Sequence, residues 1–273
     1  MKSLAASLAV LLLALLIAPT AQAQFLFSTP AAARGKLDQP MPAALLQRLS
    51  AISHAGLTLT TPVAPAALHL KRISGPQPGP QPTLLYVGAE FCPYCAAQRW
   101  GLALTLLRFG QLQGVRYMLS TAHDVYPDTP TLSFYGAHYD SRVLHLLAIE
   151  TQKRDQQPLM PMPPPVKAIF GKFDAPPYVH MAYGIPFVYL GGRYLLTQPM
   201  ISPAALQGMD WDEVVAQLGN ADGTLYRTIM PQVNLLTAAV CSLDGGQPAA
   251  VCKAPGVQVG AALLTRLPRL PAR

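Results

Sequence analysis

The sequence predicts an α/β fold in which a buried strand runs into a Cys-x-x-Cys helix and a strand hairpin follows later in the chain. Three observations carry that prediction. Residues 83–89 hold the run Leu84-Leu85-Tyr86-Val87, bounded by Pro82 and the cysteine motif, which fits a central strand covered on both faces. After Cys92 and Cys95, the residues Arg99, Trp100, Ala103, Leu104 and Leu107 recur at helical spacing, and Arg108 followed by Gly110 supplies the stop. Residues 186–190 and 193–196 are short strand-like runs joined by Gly191-Gly192, a hairpin signal.

The other elements follow in chain order. Lys2 precedes an apolar stretch, 4–17, with one hydroxyl (Ser7) and no charge, and then Ala21-Gln22-Ala23. That stretch is short of the roughly 20 residues of a membrane span, so residues 1–23 read as a signal peptide cleaved before Gln24. Residues 24–66 form an N-terminal extension with one helix at 42–54, where Leu45, Leu46, Leu49 and Ile52 follow Pro42. A strand at 67–73 opens the main domain, 67–252, and a Pro- and Gly-rich connector reaches residue 82. Residues 115–119 are the next strand, which makes a β-α-β unit with a parallel pair. Residues 121–183 read as an inserted segment containing a strand at 143–149 and the Pro-rich stretch 158–165. Helices near 212–218 and 225–240 form a C-terminal extension, and 253–273 is a tail.

The chain has 273 residues, a formal charge of +7, 51% hydrophobic and 12% charged residues, a balance that folds rather than remaining disordered. Its cations are scattered without a basic run, which argues against nucleic acid as a partner. After signal cleavage no segment reaches about eighteen uninterrupted apolar residues, so no stable membrane span is expected. Signatures of hydrolases and nucleotide-binding loops are missing.

The cysteines carry the chemistry. Cys92-Pro93-Tyr94-Cys95 falls where the strand meets the helix, so the first sulfur meets unpaired N–H groups and the positive end of the macrodipole, which favours thiolate. Two intervening residues bring both sulfurs within disulfide reach, and Pro93 suits the first helical turn. The pair can cycle between dithiol and disulfide, with Cys92 as the exposed attacking thiol and Cys95 as the resolving one. The competing reading is half of a structural zinc site. Cys241 and Cys252 fit it poorly, having ten residues between them and no nearby His. They are expected to form a structural disulfide, the alternative being a second redox pair relaying electrons to Cys92/Cys95. Met160 and Met162 with scattered histidines raise copper handling but read as surface linker. Tyr126, Tyr135 and Tyr139 read as packing on the inserted sheet.

Cys92-Pro93-Tyr94-Cys95 together with Ile185-Pro186 resembles the thioredoxin superfamily. Three strings are similar to a secreted thioredoxin-like family catalogued as domain of unknown function 929: Tyr86-Val87-Gly88-Ala89-Glu90-Phe91, Ala96-Ala97-Gln98-Arg99-Trp100 and Asp124-Val125-Tyr126-Pro127-Asp128-Thr129-Pro130. The ending, with Cys241 and Cys252, is similar too. The resemblance implies a thioredoxin-like fold with an insertion before the hairpin and a C-terminal helical extension. It also implies a cis bond at Ile185–Pro186, the only common chemistry for one, facing Cys92. Pro186 is then part of the catalytic set with Cys92 and Cys95, while Ile185, Pro93 and Tyr94 contact substrate. Related enzymes often bury a carboxylate six residues before the first cysteine; here Tyr86 stands there, and Glu90 is expected to be a solvated acid.

The activity implied is that of an exported, periplasmic or secreted thiol-disulfide oxidoreductase needing no cofactor, with exported protein thiols or disulfides and an unknown redox partner as its partners. Oxidase or isomerase is favoured over reductase. The alternatives are a metal chaperone holding a soft ion between reduced Cys92 and Cys95, and a redox-silent binding module.

Overall fold

A computed structural model describes residues 33–270 apart from Pro80, Met181 and Tyr183. The signal peptide, its cleavage point and the start of the N-terminal extension lie outside the described residues.

Helix α1 (Ala43–Ala55) starts behind Pro42 and buries Leu46, Leu49 and Ser53. The strand expected at 67–73 shortens to β1 (Leu70–Arg72), because Pro65–Ala67 closes a 3-10 turn just before it. Next comes β2 (Thr83–Gly88), buried at all six positions, and then α2 (Pro93–Leu106). The chain continues with β3 (Gln111–Gln113), β4 (Arg116–Leu119), β5 (Pro130–Ser133), β6 (His138–Asp140) and β7 (His145–Glu150). After α3 (Pro164–Phe173) come β8 (Phe187–Leu190) and β9 (Tyr194–Leu196). The chain ends in α4 (Trp211–Leu218), α5 (Thr224–Cys241), the single turn α6 (Ala249–Cys252) and α7 (Pro255–Arg266).

The central sheet has the order β1-β9-β8-β2-β7. Only β2 and β7 run parallel, with Leu85 opposite Leu147 and Gly88 opposite Glu150, while β8 lies antiparallel to β2 with Val87 opposite Phe187. The fold is therefore mixed α/β, and its strand order is compatible with the thioredoxin-like arrangement. The parallel partner of β2 is a correction: it was expected at 115–119, but those residues form β4, which pairs antiparallel with β5 in a separate ribbon. The physical reason lies in α2. Apart from Tyr94 every residue of that helix is buried, so its second face needs a cover, and the β4–β5 ribbon supplies it through Trp100 Nε1 to the Pro130 carbonyl at 2.9 Å and Thr131 Oγ1 to the Ala96 carbonyl at 2.8 Å. The stretch 121–183 accordingly divides. Its β7 and α3 belong to the main sheet, and its other strands do not.

Period-two alternation assigns the two faces of the sheet. Leu84, Tyr86, Val188 and Leu190 join the core with α2 and α5, whereas Leu85, Val87, Phe187 and Tyr189 join a second core with Val166, Phe170 and Phe173 of α3. Gly191 and Gly192, at φ 53° and 71°, make the β8–β9 turn that requires left-handed backbone at both positions.

The expected tail at 253–273 contains α7 instead. Pro255 opens that helix at a position where a missing N–H is harmless, and Gly260 lets it rest on the backbone of Asn234 and Leu235 in α5. The chain beyond it returns to the sheet, where Arg72 N–H meets the Pro268 carbonyl at 3.1 Å and Leu270 N–H the Arg72 carbonyl at 2.8 Å. This contact covers the free edge of β1. Among the described residues no helix is long and apolar enough to cross a membrane.

Candidate active site

Cys92 is the N-cap of α2, with extended backbone, and Pro93 occupies the first helical turn. The Cys92 Sγ accepts the Cys95 N–H at 3.2 Å, the bond that a capping oxygen ordinarily accepts. Its thiol also points at the Ile185 carbonyl oxygen 3.8 Å away, and the Ile185–Pro186 peptide is cis. The structure thus brings Cys92, Cys95, Ile185 and Pro186 to one place, at the ends of β2, α2 and β8.

The two sulfurs differ sharply. The Cys95 thiol's hydrogen bond to Cys92, then the Cys95 amide and the Arg99 charge, pull the Cys92 pKa below that of an ordinary thiol in spite of burial. Burial pushes the Cys95 thiol well up. Cys92 is 5% exposed, which corrects the expectation of an openly exposed nucleophile: by capping the helix, its sulfur turns inward toward the Cys95 amide and the Ile185 carbonyl. Tyr94, at 41%, is the exposed member of the motif.

Beneath the cysteines lies a buried charged cluster that the sequence reading did not assign. Arg99, one turn after Cys95, clamps Glu150 with Nε at 2.8 Å and Nη2 at 2.7 Å, and its Nη2 also donates to the Ala89 carbonyl at 2.7 Å. Both members of the pair are wholly buried. The Arg99 guanidinium carbon stands 5.8 Å from the Tyr86 ring centroid. The Tyr86 hydroxyl, tucked beside Gly88, and Arg99 Nη1 have no hydrogen-bond partner among the described residues. The Arg99 charge lies close enough to favour thiolate on either sulfur. The signal was present in the sequence: a lone Arg on a helix otherwise rich in Ala, Leu and Trp, and a lone Glu at the end of Leu146-Leu147-Ala148-Ile149.

Glu90 corrects another expectation. It is buried rather than solvated, accepts the Ser133 hydroxyl at 2.6 Å, and has a pKa raised by burial. Tyr126 does not pack on an inserted sheet: its ring meets that of Tyr94 edge-on at 5.9 Å. Tyr139 does lie in the β3–β6 ribbon, donating to the Leu106 carbonyl at 2.9 Å. Met160 and Met162 pack against the second core.

Cys241 and Cys252 are joined by a disulfide with their Cα atoms 5.6 Å apart, so they are not the missing half of a four-thiolate zinc site. They lie at the far end of the sheet. Arg193 Nη1 donates to the Ser242 carbonyl at 3.1 Å, and Gly191 N–H to the Thr83 carbonyl at 2.9 Å, at the start of β2. The length of β2, roughly 17 Å at about 3.3 Å per residue, separates that turn from the cysteine motif. Direct exchange between the two pairs, as an electron relay needs, is incompatible with this arrangement. A broad cleft beside this disulfide is rimmed by Arg72, Arg193, Lys253 and Arg269 and has no part in the cysteine motif.

A dithiol motif at a helix start, facing a cis-proline loop across a mixed sheet, defines the class of site. The family described as Domain of unknown function (DUF929) matches residues 77–242, more than half of the chain and the whole of this site, and the chain belongs to it. No curated protein and no solved structure matches the chain.

Proposed function

We propose that the protein is an exported thiol-disulfide oxidoreductase that works through a mixed disulfide at Cys92. The observation that carries this reading is the opposed environment of the two sulfurs: Cys92 holds the Cys95 amide at 3.2 Å with its pKa drawn down, while Cys95 is sealed and drawn up. Such a pair divides into attacker and resolver.

In the reducing direction the Cys92 thiolate attacks a substrate disulfide, a bond forms between Cys92 and one substrate sulfur, and the other substrate sulfur leaves as thiolate. Cys95 then attacks the Cys92 sulfur, giving the Cys92–Cys95 disulfide and releasing the second substrate thiol, which takes the Cys95 proton. Two electrons pass from the protein dithiol to the substrate. The oxidising direction is the reverse sequence, and export together with the bonded Cys241–Cys252 pair, which suits an oxidising compartment, favours oxidase or isomerase work. The Arg99 charge stabilises whichever thiolate is released, a term that raises the oxidising power of the disulfide; across related dithiols potentials span about −270 to −120 mV.

The test is turnover of a small aromatic disulfide with a dithiol donor. Wild type is expected to cycle, Cys92→Ser to be inert, and Cys95→Ser to accumulate the mixed disulfide, visible by mass. Undiminished cycling by Cys92→Ser would overturn the proposal.

A further inference from the structure

The cleft beside the Cys241–Cys252 disulfide encloses about 930 Å³, a size at which protein sites hold small organic molecules. Its charge is one-sided. Arg72, Arg193, Lys253 and Arg269 line it, and among the described residues no Asp or Glu does. None of the four cations belongs to an ion pair among those residues. Asp244, on the adjoining turn, is engaged within that turn, where its Oδ1 accepts the amides of Gly246 at 2.9 Å and Gln247 at 3.0 Å.

The backbone sets these cations in two pairs. Arg72 ends β1 and lies opposite Tyr194 of β9 on one side and opposite Arg269 of the returning chain on the other. Residues paired in this way stand about 4.8 Å apart from strand to strand and project from the same face of a sheet. Tyr194 is on the face that packs with α5, so the Arg72 and Arg269 side chains share that face. Like charges placed directly opposite repel one another, and an anion between them turns the repulsion into two attractions. The second pair is tied together by the disulfide. Arg193 Nη1 donates to the Ser242 carbonyl at 3.1 Å, Ser242 follows Cys241, and Lys253 follows Cys252, whose Cα is 5.6 Å from that of Cys241.

We propose that this cleft binds an organic phosphate monoester, with the phosphate between Arg72 and Arg269 and within the field of Arg193 and Lys253. A carboxylate presents two oxygens, which a single guanidinium fork satisfies. Two forks side by side match a group with three terminal oxygens and a charge of about −1.5 to −2, which a phosphate monoester carries at neutral pH. The cleft is larger than a bare phosphate fills, so an organic part has room beside it. A nucleotide fits poorly. Tyr194 is the one aromatic side chain that lines the cleft among the described residues; it is buried, with its hydroxyl 3.0 Å from Ser242 Oγ, and offers no face on which a base could stack. Nothing in this assignment depends on exchange at Cys92.

Such a monoester has two sources, a small soluble molecule or a lipid headgroup, and glycerol 3-phosphate and phosphatidic acid present the same group in the two forms. The test titrates the full chain with glycerol 3-phosphate by calorimetry, with succinate as the carboxylate comparison. In parallel the chain is sedimented with phosphatidylcholine vesicles that contain phosphatidic acid or, at matched charge, phosphatidylserine. Wild type is expected to bind the phosphate probe with a Kd below about 1 mM. Arg72→Gln and Arg269→Gln should each weaken that binding about tenfold, the loss of one charge-assisted contact. Arg48→Gln and Lys167→Gln make the same change in net charge at exposed positions outside the cleft and should alter it by less than about twofold. Arg269 is exposed as well, so Arg269→Gln decides the matter even where Arg72→Gln fails to fold. Binding of glycerol 3-phosphate that Arg269→Gln weakens upholds the site with a soluble ligand. Binding of the phosphatidic acid vesicles alone, lost in Arg269→Gln, upholds it with a lipid headgroup. Binding of neither, equal binding of the comparison anion in the arm that responds, or an equal loss in Arg48→Gln overturns the proposal.

Discussion

The two cysteine pairs of this chain occupy opposite ends of one sheet and differ in nearly everything around them. At the β2–α2 end, Cys92 and Cys95 remain unbonded and sit over three buried charged side chains, Glu90, Arg99 and Glu150. At the other end, Cys241 and Cys252 are bonded across a short turn, where Asp244 Oδ1 accepts the amides of Gly246 at 2.9 Å and Gln247 at 3.0 Å. The neighbouring cations Arg193 and Lys253 face solvent. Buried charge is costly unless it is paired, and the proposed exchange chemistry would account for three such side chains at the first end, against the part-buried Asp244 at the other.

The largest expected effect breaks the comparison at its reactive end. Cys92→Ser should lower turnover of a disulfide substrate by about 10³-fold or more, the scale of removing a nucleophile. The same assay on Cys241→Ser should show activity retained. Loss of turnover in Cys241→Ser with stability intact would make the far disulfide the working one.

Next in size is Arg99→Met, which leaves Glu150 buried without its partner and should cost about 3–5 kcal/mol in urea unfolding. Adding Glu150→Gln should recover part of that loss. In the double variant the alkylation rate of Cys92 tests the electrostatic role independently of folding. In wild type it should rise with pH through a midpoint below the roughly 8.5 of a free thiol. Removing the guanidinium disfavours the thiolate, so the midpoint should move upward. An unmoved midpoint would reduce Arg99 to a strut.

How much of this contrast could be read in the sequence depends on where the information resides. The Cys-x-x-Cys helix, the hairpin and the helices near 212–218 and 225–240 are written locally, in spacing and punctuation, and α2, α4 and α5 lie within a residue or two of the expected places. The partner of β2 is not local. Residues 116–119 and 145–150 are both apolar enough for a strand, and only the need to cover the outer face of α2 assigns the first to a ribbon and the second to the sheet. Glu90 and Tyr126 were misplaced for the same reason: their burial is decided by β5 and by Tyr94, which meet them only in three dimensions. The helix inside the expected tail at 253–273 is not local either: Gly256 and Gly260 carry no pattern of their own, and what holds them is the close approach to Asn234 and Leu235 of α5.

At the structural end, Cys241→Ser should lower stability by about 3 kcal/mol, the chain-entropy value for closing a loop of this length. In a domain of this size that corresponds to a fall in Tm of roughly 6–12 °C. Mild reduction should leave this bond closed while an oxidised Cys92–Cys95 bond opens, which mass spectrometry after alkylation reads directly. Simultaneous opening would erase the distinction between the two ends.

The smallest effect belongs to Glu90, whose carboxyl is penalised by burial more than it is helped by the Ser133 hydroxyl, so its folded pKa stands above the ordinary value. The folded protein therefore binds this proton more tightly than the unfolded chain does. Stability from that source is complete below the unfolded carboxyl pKa of about 4.3 and is lost as pH rises through the higher folded value. At neutral pH the ionised side chain is a liability. Glu90→Gln keeps a carbonyl oxygen for Ser133 and removes the charge, so it should stabilise the protein on the order of 1 kcal/mol at pH 7 and give no gain near pH 4. Urea unfolding at the two pH values checks this. A variant that is weaker at pH 7 by as much as it is at pH 4 would mean that the Ser133–carboxylate bond outweighs burial, and that this end of the sheet does not hold a destabilising charge beside Cys92.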